Sequence, residues 1–191
     1  MSASAKTSDA QICEAVRRLL ESGGEENLSM QAIADAVGIR APSLYKRFSS
    51  RADLLSAAAR DALRELADAL QDAVEINKPG ESLERMAHIY RKLAKKSPRA
   101  YALIFTESLA PRDDLLAARH AAAEPLLSLL SQTLGKETAL YAARLLVSYL
   151  HGFLSMELTK TFRFGGNVND AFQYGLTKTI GCLLMDKGKS G

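Results

Sequence analysis

Apolar side chains recur along this chain every three or four residues and almost nowhere alternate, the pattern of helices that bury one face. The first run, Ile12, Ala15, Val16, Leu19 and Leu20, follows Ser8 and Gln11, whose three-residue spacing predicts a capping box, and it stops at Gly23-Gly24. Ser29 is placed to cap a shorter helix, with Ile33, Ala34 and Val37 inward and Gly38 as its stop. A very short helix follows from about Pro42 to Phe48, with proline where a first turn tolerates it. Ser50 and Asp53 repeat the capping pattern ahead of a long helix to about Glu75, striped by Leu55, Ala59, Ala62, Leu63, Leu66, Leu70 and Val74.

The breaker "NKPGE" at 77–81 then interrupts the periodicity. Ser82–Lys96 carries the stripe Leu83, Met86, Ala87, Tyr90, Leu93 and Ala94, and Ser97-Pro98 introduces Arg99–Leu109. Asp113–Leu134 contains Pro125, which should kink it, and Lys136–Thr161 and Asn169–Lys187 complete the series around the loop "FRFGGNVN". There are no repeats or low-complexity tracts. The expectation is an all-α chain of about nine helices: a three-helix head (1–52), joined through a long helix to a helical body (53–191).

Composition narrows the function. With 191 residues, 47% hydrophobic and 25% charged, the chain can bury a real core. A net charge of +3 excludes a globally basic protein, so any affinity for nucleic acid must come from local clustering. Cys13 and Cys182 lie far apart without disulfide or metal spacing and read as small buried hydrophobes, which suits a reducing cytoplasm. "MSASAKTSDA" lacks the apolar core of a secretory signal. The most apolar window, Ala139–Leu158, holds Arg144, His151 and Glu157 and reads as a buried helix rather than a membrane span. Three scattered histidines, with no phosphate loop, metal spacing or nucleophile–base pair, leave an enzyme without candidate residues; no cofactor or metal is expected.

One segment stands apart. Ser29–Val37, the turn Gly38-Ile39-Arg40 and Ala41–Phe48 have the proportions of a helix-turn-helix, whose second helix enters the major groove. Ile39 and Leu44 should pack inward, leaving Arg40, Ala41, Ser43, Lys46 and Arg47 outward with Pro42 and Tyr45 at the edge. Between Gly38 and Arg51 there are four cations, Arg40, Lys46, Arg47 and Arg51, and no acid. Cations set against phosphates release counterions and drive salt-dependent binding. Ala41 and Pro42 can touch a thymine methyl and Ser43 can hydrogen-bond a base edge, while the Tyr45 hydroxyl and helix starts at Ser29 and Ser50 suit phosphates. A plain solvated helix face is the alternative reading of the same charges.

"LSMQAIADAVGIRAPSLYKRFSSRADLLSAA" (Leu28–Ala58) resembles the helix-turn-helix signature of the tetracycline-repressor (TetR) family of bacterial regulators. The correspondence runs through Ser29, Ile33-Ala34, Gly38-Ile39, Leu44-Tyr45-x-x-Phe48, Arg51 and Leu54; Arg51 stands where lysine is commoner. The resemblance implies DNA contacts at Ser29, Arg40, Ala41, Pro42, Ser43, Tyr45, Lys46 and Arg47, with Arg51 on phosphate. "SLERMAHIYRKLAKKSPRAYALIF" and "YLHGFLSMEL" are similar to family bodies with a Trp-His-Gly motif, here Leu150-His151-Gly152 without the tryptophan. It further implies a cytoplasmic homodimer on a palindromic operator, usually released by a small-molecule inducer; a ligand-independent regulator or a protein-interaction module is the alternative.

Two further expectations concern the body. A helix apolar on nearly all sides needs cover on two flanks, and glycines inside helices need a reason. Leu146, Leu150, Gly152 and Phe153, with Phe172, Gly175, Leu176 and Ile180, are therefore expected at an isologous four-helix dimer interface, ordinary intrachain packing being the other explanation. Tyr90, Tyr101, Phe105, His120 and Tyr149 are the candidates to line a cavity for a mostly apolar ligand, or else core. His88 is expected on a solvent face beside Arg91 and Lys92, and His151 as a hydrogen-bonded core residue.

Overall fold

The computed structural model describes residues 7–105 and 112–185, and every regular element among them is helical. The helices are α1 (Asp9–Gly23), α2 (Met30–Ala36), α3 (Ala41–Tyr45), α4 (Arg51–Asp72), α5 (Pro79–Lys96), α6 (Pro98–Leu103), α7 (Arg112–Leu134), α8 (Lys136–Leu158) and α9 (Val168–Met185), with a 3-10 turn at Glu25–Asn27. The predicted ends of the helices starting at Arg99 and Asn169 fall partly outside the described residues. Two compact units form: one from the chain up to Glu65 with Ser97–His120, the other from Leu66–Lys96 with the chain from Ala121 onward.

In the first unit the capping box at Ser8 is present: its hydroxyl accepts from the Gln11 N–H at 3.2 Å, and Gln11 Oε1 accepts from the Ser8 N–H at 2.8 Å. Ile12, Ala15, Val16 and Leu20 are buried as the stripe predicts, with Leu19 only half-buried. They share the core with Ile33, Ala34, Leu44, Phe48, Leu54, Ala58 and Leu63. At the edge of this core Arg17 reaches from α1 to Glu65 (2.8 Å) and Asp61 (3.2 Å) on α4 and to Glu14 (2.8 Å). The hydrogen bond to Glu65 is the main reason its guanidinium is held above its ordinary pKa. Cys13 is buried beside this cluster, and desolvation first, then the nearby Asp61, pushes its thiol up to about 11.

The second unit closes α5, α8 and α9 around Leu83, Met86, Ala87, Leu146, Leu150, Leu154, Phe172 and Leu176. Pro79 opens α5, three residues before the predicted start, because proline is pre-organised for a first turn. Ser82, now inside the helix, is buried and donates to the Glu75 carbonyl (3.1 Å) while accepting from the Glu75 N–H (2.8 Å).

Two expectations are corrected here. Arg91 is not on a solvent face but 8% exposed, because its guanidinium is drawn in by Glu157 and Asn169. It donates to Glu157 at 2.9 and 2.6 Å and to Asn169 at 2.8 Å, and it lies 4.3 Å above the Phe172 ring. Cys182 is exposed rather than buried, since it falls on the outward side of α9.

Candidate nucleic-acid interface

The α2–turn–α3 segment is set by local hydrogen bonding. Ser29 caps α2 by accepting the Ala32 N–H at 3.0 Å. At the other end Gly38 takes φ +69°, the left-handed conformation that suits glycine. The Ile39 N–H then reaches back to the Ala34 carbonyl (3.0 Å) and the Gly38 N–H to that of Asp35 (3.2 Å). This Schellman pattern ends a helix and turns the chain sharply.

α3 starts at Ala41 with Arg40 as its N-cap residue and Pro42 in its first turn. It is three residues shorter than predicted. Beyond Tyr45, the Arg47 and Phe48 N–H groups both return to the Leu44 carbonyl at 2.9 Å. Ser49 and Ser50 are already committed to capping α4: Asp53 donates its N–H to Ser50 Oγ (3.1 Å) and accepts the Ser49 N–H (3.0 Å).

Leu44 and Phe48, four residues apart, hold α3 to the core at 0% and 7% exposure. Arg40, Pro42, Ser43, Lys46 and Tyr45 face solvent, Tyr45 at 54% exposure, and Ala41 is half-buried. Ser29 is exposed beside them in the chain's preceding cap.

The charge picture differs from the one the segment suggests by itself. Arg47 donates to the Thr7 carbonyl (2.7 Å) and pairs with Asp9 at the start of α1. Arg51 donates to the Glu25 carbonyl (2.7 Å) and to its carboxylate (3.0 Å). Two of the four cations are thus compensated by acids 38 and 26 positions away in the chain. Among the described residues Arg40 and Lys46 have no ion-pair partner, so they carry the unneutralised positive charge of this surface.

In the second unit the residues expected at a subunit interface separate into two groups. Leu146, Leu150, Phe172, Leu176 and Ile180 are buried within the unit itself, at 8% exposure or less. Gly175 also has an internal reason: a Cβ there would lie 2.5 Å from Tyr149 Oη, and that hydroxyl donates to the Phe172 carbonyl at 2.7 Å. Phe153 is half-buried, with ring centroids 5.9 Å from Tyr149 and 5.2 Å from Phe172. Gly152, by contrast, is exposed, and a Cβ there would meet nothing within 4 Å. Elsewhere α8 leaves Leu140, Tyr141, Leu145, Val147 and Met156 exposed, and α9 leaves Tyr174 and Met185.

The five residues expected around a ligand are distributed over both units. Tyr101 is buried and meets Phe105 edge-on at 5.2 Å, with Phe105 and His120 exposed, all in the first unit. Tyr90 and Tyr149 are half-buried members of the second. A cleft of about 530 Å³ does occur in the first unit, but its walls are mainly charged: Glu14, Arg17, Arg18, Asp61, Arg64 and Glu65.

Known proteins place this arrangement. Residues 12–58 match the profile described as bacterial regulatory proteins, tetR family, and residues 83–179 match that of the tetracyclin repressor-like C-terminal domain. The chain is 31% identical over 157 residues to an uncharacterised HTH-type transcriptional regulator of Mycobacterium tuberculosis, covering 81% of this chain and 72% of the relative. Among solved structures, apo ActR from Streptomyces coelicolor superposes with a TM-score of 0.71 at 18% identity, covering 99% of this chain and 100% of that one. A TetR variant from Acinetobacter baumannii in complex with minocycline gives 0.70 at 19% identity, covering 96% and 100%. Both structures share the fold.

Proposed function

Because this chain belongs to the TetR family of bacterial transcriptional regulators, we propose that it is a cytoplasmic homodimeric repressor that leaves a palindromic operator when a small molecule binds its body. The observation that carries the DNA-binding part of the reading is the exposed row Arg40, Pro42, Ser43, Tyr45 and Lys46 on a short helix anchored by Leu44 and Phe48. Within a DNA-contacting part of residues 1–52, Arg40 and Lys46 meet phosphates, Ala41, Pro42 and Ser43 face base edges, and Ser29 and Tyr45 bind the backbone. Arg47 and Arg51 hold the segment in place through Asp9 and Glu25.

The outward apolar row on α8 and α9, with Gly152 among it, supports dimerisation. A two-fold axis then sets two recognition helices roughly 34 Å, or a multiple, apart.

Selection from random duplex DNA tests the reading. The recovered site should be a palindrome with half-sites one helical turn or a multiple apart; enrichment of no duplex would overturn it. A second reading, a regulator without an inducer, gains support from the mainly charged walls of the first-unit cleft, which do not suit the mostly apolar ligand expected. Native mass spectrometry of protein taken directly from cells decides between them, since a bound metabolite adds its mass to the dimer.

A further inference from the structure

Between α8 and α9 runs a loop in which every residue from Thr159 to Asn167 is exposed. Its base is held from both sides by α5: Arg91 binds Glu157, just before the loop, and Asn169, just after it. The loop and the last turns of α5 therefore share one end of the second unit. On that end Lys92, Lys95 and Lys96 of α5 and Lys160 and Arg163 of the loop are all exposed. Lys95 pairs with Glu157 at 2.9 Å, and the other four have no ion-pair partner among the described residues. Residues 91–96 and 157–170 hold six cations against two acids, Glu157 and Asp170, a net charge of +4 where the whole chain has +3.

The two phenylalanines of the loop differ. Phe162 is anchored, its ring centroid 4.8 Å from that of Phe153 on α8. Phe164 is fully exposed, more so than any other large hydrophobic side chain among the described residues. Lys160 is also unusual: among the described residues it alone, apart from glycines, has a positive φ, 55°. It stands at the turn that closes α8, where the Thr161 N–H returns to the Met156 carbonyl (2.9 Å) and the Lys160 N–H to that of Glu157 (3.1 Å). Glycine fills that position more easily. A positive side chain is thus kept against the preference of the backbone, and an aromatic ring four residues on is kept in water.

We infer that this end of the second unit docks on an anionic phospholipid surface, with Phe164 entering the headgroup layer and Lys92, Lys96, Lys160 and Arg163 meeting lipid phosphates. Charge sets the sign of the partner, and Phe164 sets its kind. Clustered lysine and arginine are drawn to an anionic leaflet without needing a matched shape. An aromatic ring settles between headgroups and acyl chains, whereas a duplex offers it charged phosphates and bases that are already stacked. Long basic side chains reach past an embedded ring to the phosphates. No helix among the described residues is long and apolar enough to cross a bilayer, so the contact is peripheral. It is separate from the proposed DNA contacts, all of which lie within residues 1–52.

The chain has no tryptophan, so Phe164→Trp gives full-length protein a single reporter in the loop. It is mixed with vesicles of phosphatidylcholine alone, or of phosphatidylcholine and phosphatidylglycerol in equal parts. Only with the second should emission move to shorter wavelength and the protein float with the vesicles, and both effects should fade as salt rises. Without the reporter, Phe164→Ala should weaken flotation roughly tenfold and Lys96→Ala about fivefold, with thermal unfolding unchanged because both side chains are exposed. Lys160→Gly should weaken flotation about fivefold while unfolding stays at the wild-type temperature or rises, which a role confined to closing α8 would not produce. Binding to neither kind of vesicle, equal binding to both, or undiminished binding by Phe164→Ala and Lys160→Gly would overturn the inference. So would an equal emission shift with polyglutamate or random duplex DNA, which would make the partner an acidic polypeptide or a nucleic acid.

Discussion

Lys46 and Arg47 are adjacent cations in different surroundings. Lys46 is exposed without an ion-pair partner among the described residues, whereas the Arg47 side chain is 28% exposed and held by Asp9 and the Thr7 carbonyl. Each phosphate neutralised contributes about 0.9 to the slope of log affinity against log salt. One contact per head and two heads per dimer give Lys46→Ala a slope shallower by about 1.8. Over a fourfold rise in salt, from about 50 to about 200 mM, the variant should then lose roughly twelvefold less affinity than wild type. Arg47→Ala should leave the slope nearly unchanged and instead lower stability by about 1 kcal/mol, through one lost hydrogen bond and one exposed ion pair. Asp9→Asn should release Arg47 and steepen the slope. Operator titrations at four salt concentrations, paired with urea unfolding, measure both quantities. Equal flattening by the two variants would refute the assignment, because it would mean that the Asp9 pair opens on DNA and Arg47 contacts phosphate after all.

Other expectations follow from the body. Gly175→Ala should destabilise by about 1–3 kcal/mol, since the new methyl displaces the Tyr149 ring and breaks its bond to Phe172, outweighing the gain in helix propensity. Gly152→Ala should stabilise an isolated chain by about 1 kcal/mol but weaken the dimer, so thermal unfolding and sedimentation at matched concentrations should move in opposite senses. Arg91→Ala, which leaves Glu157 with only Lys95, should cost about 3 kcal/mol in chemical denaturation. The hydrogen bond from Arg91 is also the main cause that holds the Glu157 carboxyl below its ordinary 4.5. Its contribution is therefore complete above that value and lost as pH falls below it, and Glu157→Gln should remove this part of the acid sensitivity.

What could be read in advance was whatever neighbours in sequence decide. The box at Ser8, the cap at Ser29 and the stop at Gly38 depend on spacings of a few residues, and each is found where expected; the apolar stripes are buried along their centres, with Leu19, Val37 and Val74 only half-buried at their margins. The exposed face of α3 followed from the same periodicity. The pairing of Arg47 and Arg51 did not, because Asp9 and Glu25 lie 38 and 26 positions away in the chain and meet them only once the first unit has folded. Likewise Arg91 looked like one of several surface cations until Glu157 and Asn169 met it from α8 and the start of α9. The docking of α6 in the first unit was hidden for a related reason: the breaker at 77–81 marks where a helix ends, not which core the next helices join. Gly175 carried the right signal, a glycine in need of a neighbour, but the neighbour is Tyr149 of the same chain.

The unequal settings of the two thiols have a practical consequence. Cys13 is buried, its ionisation pushed to about 11, and Cys182 lies open on α9. Near neutrality a maleimide dye therefore attaches at one defined position in the unaltered protein. A donor on one copy and an acceptor on another would report assembly by energy transfer, and shielding of that sulfur as concentration rises would time the encounter without an engineered label.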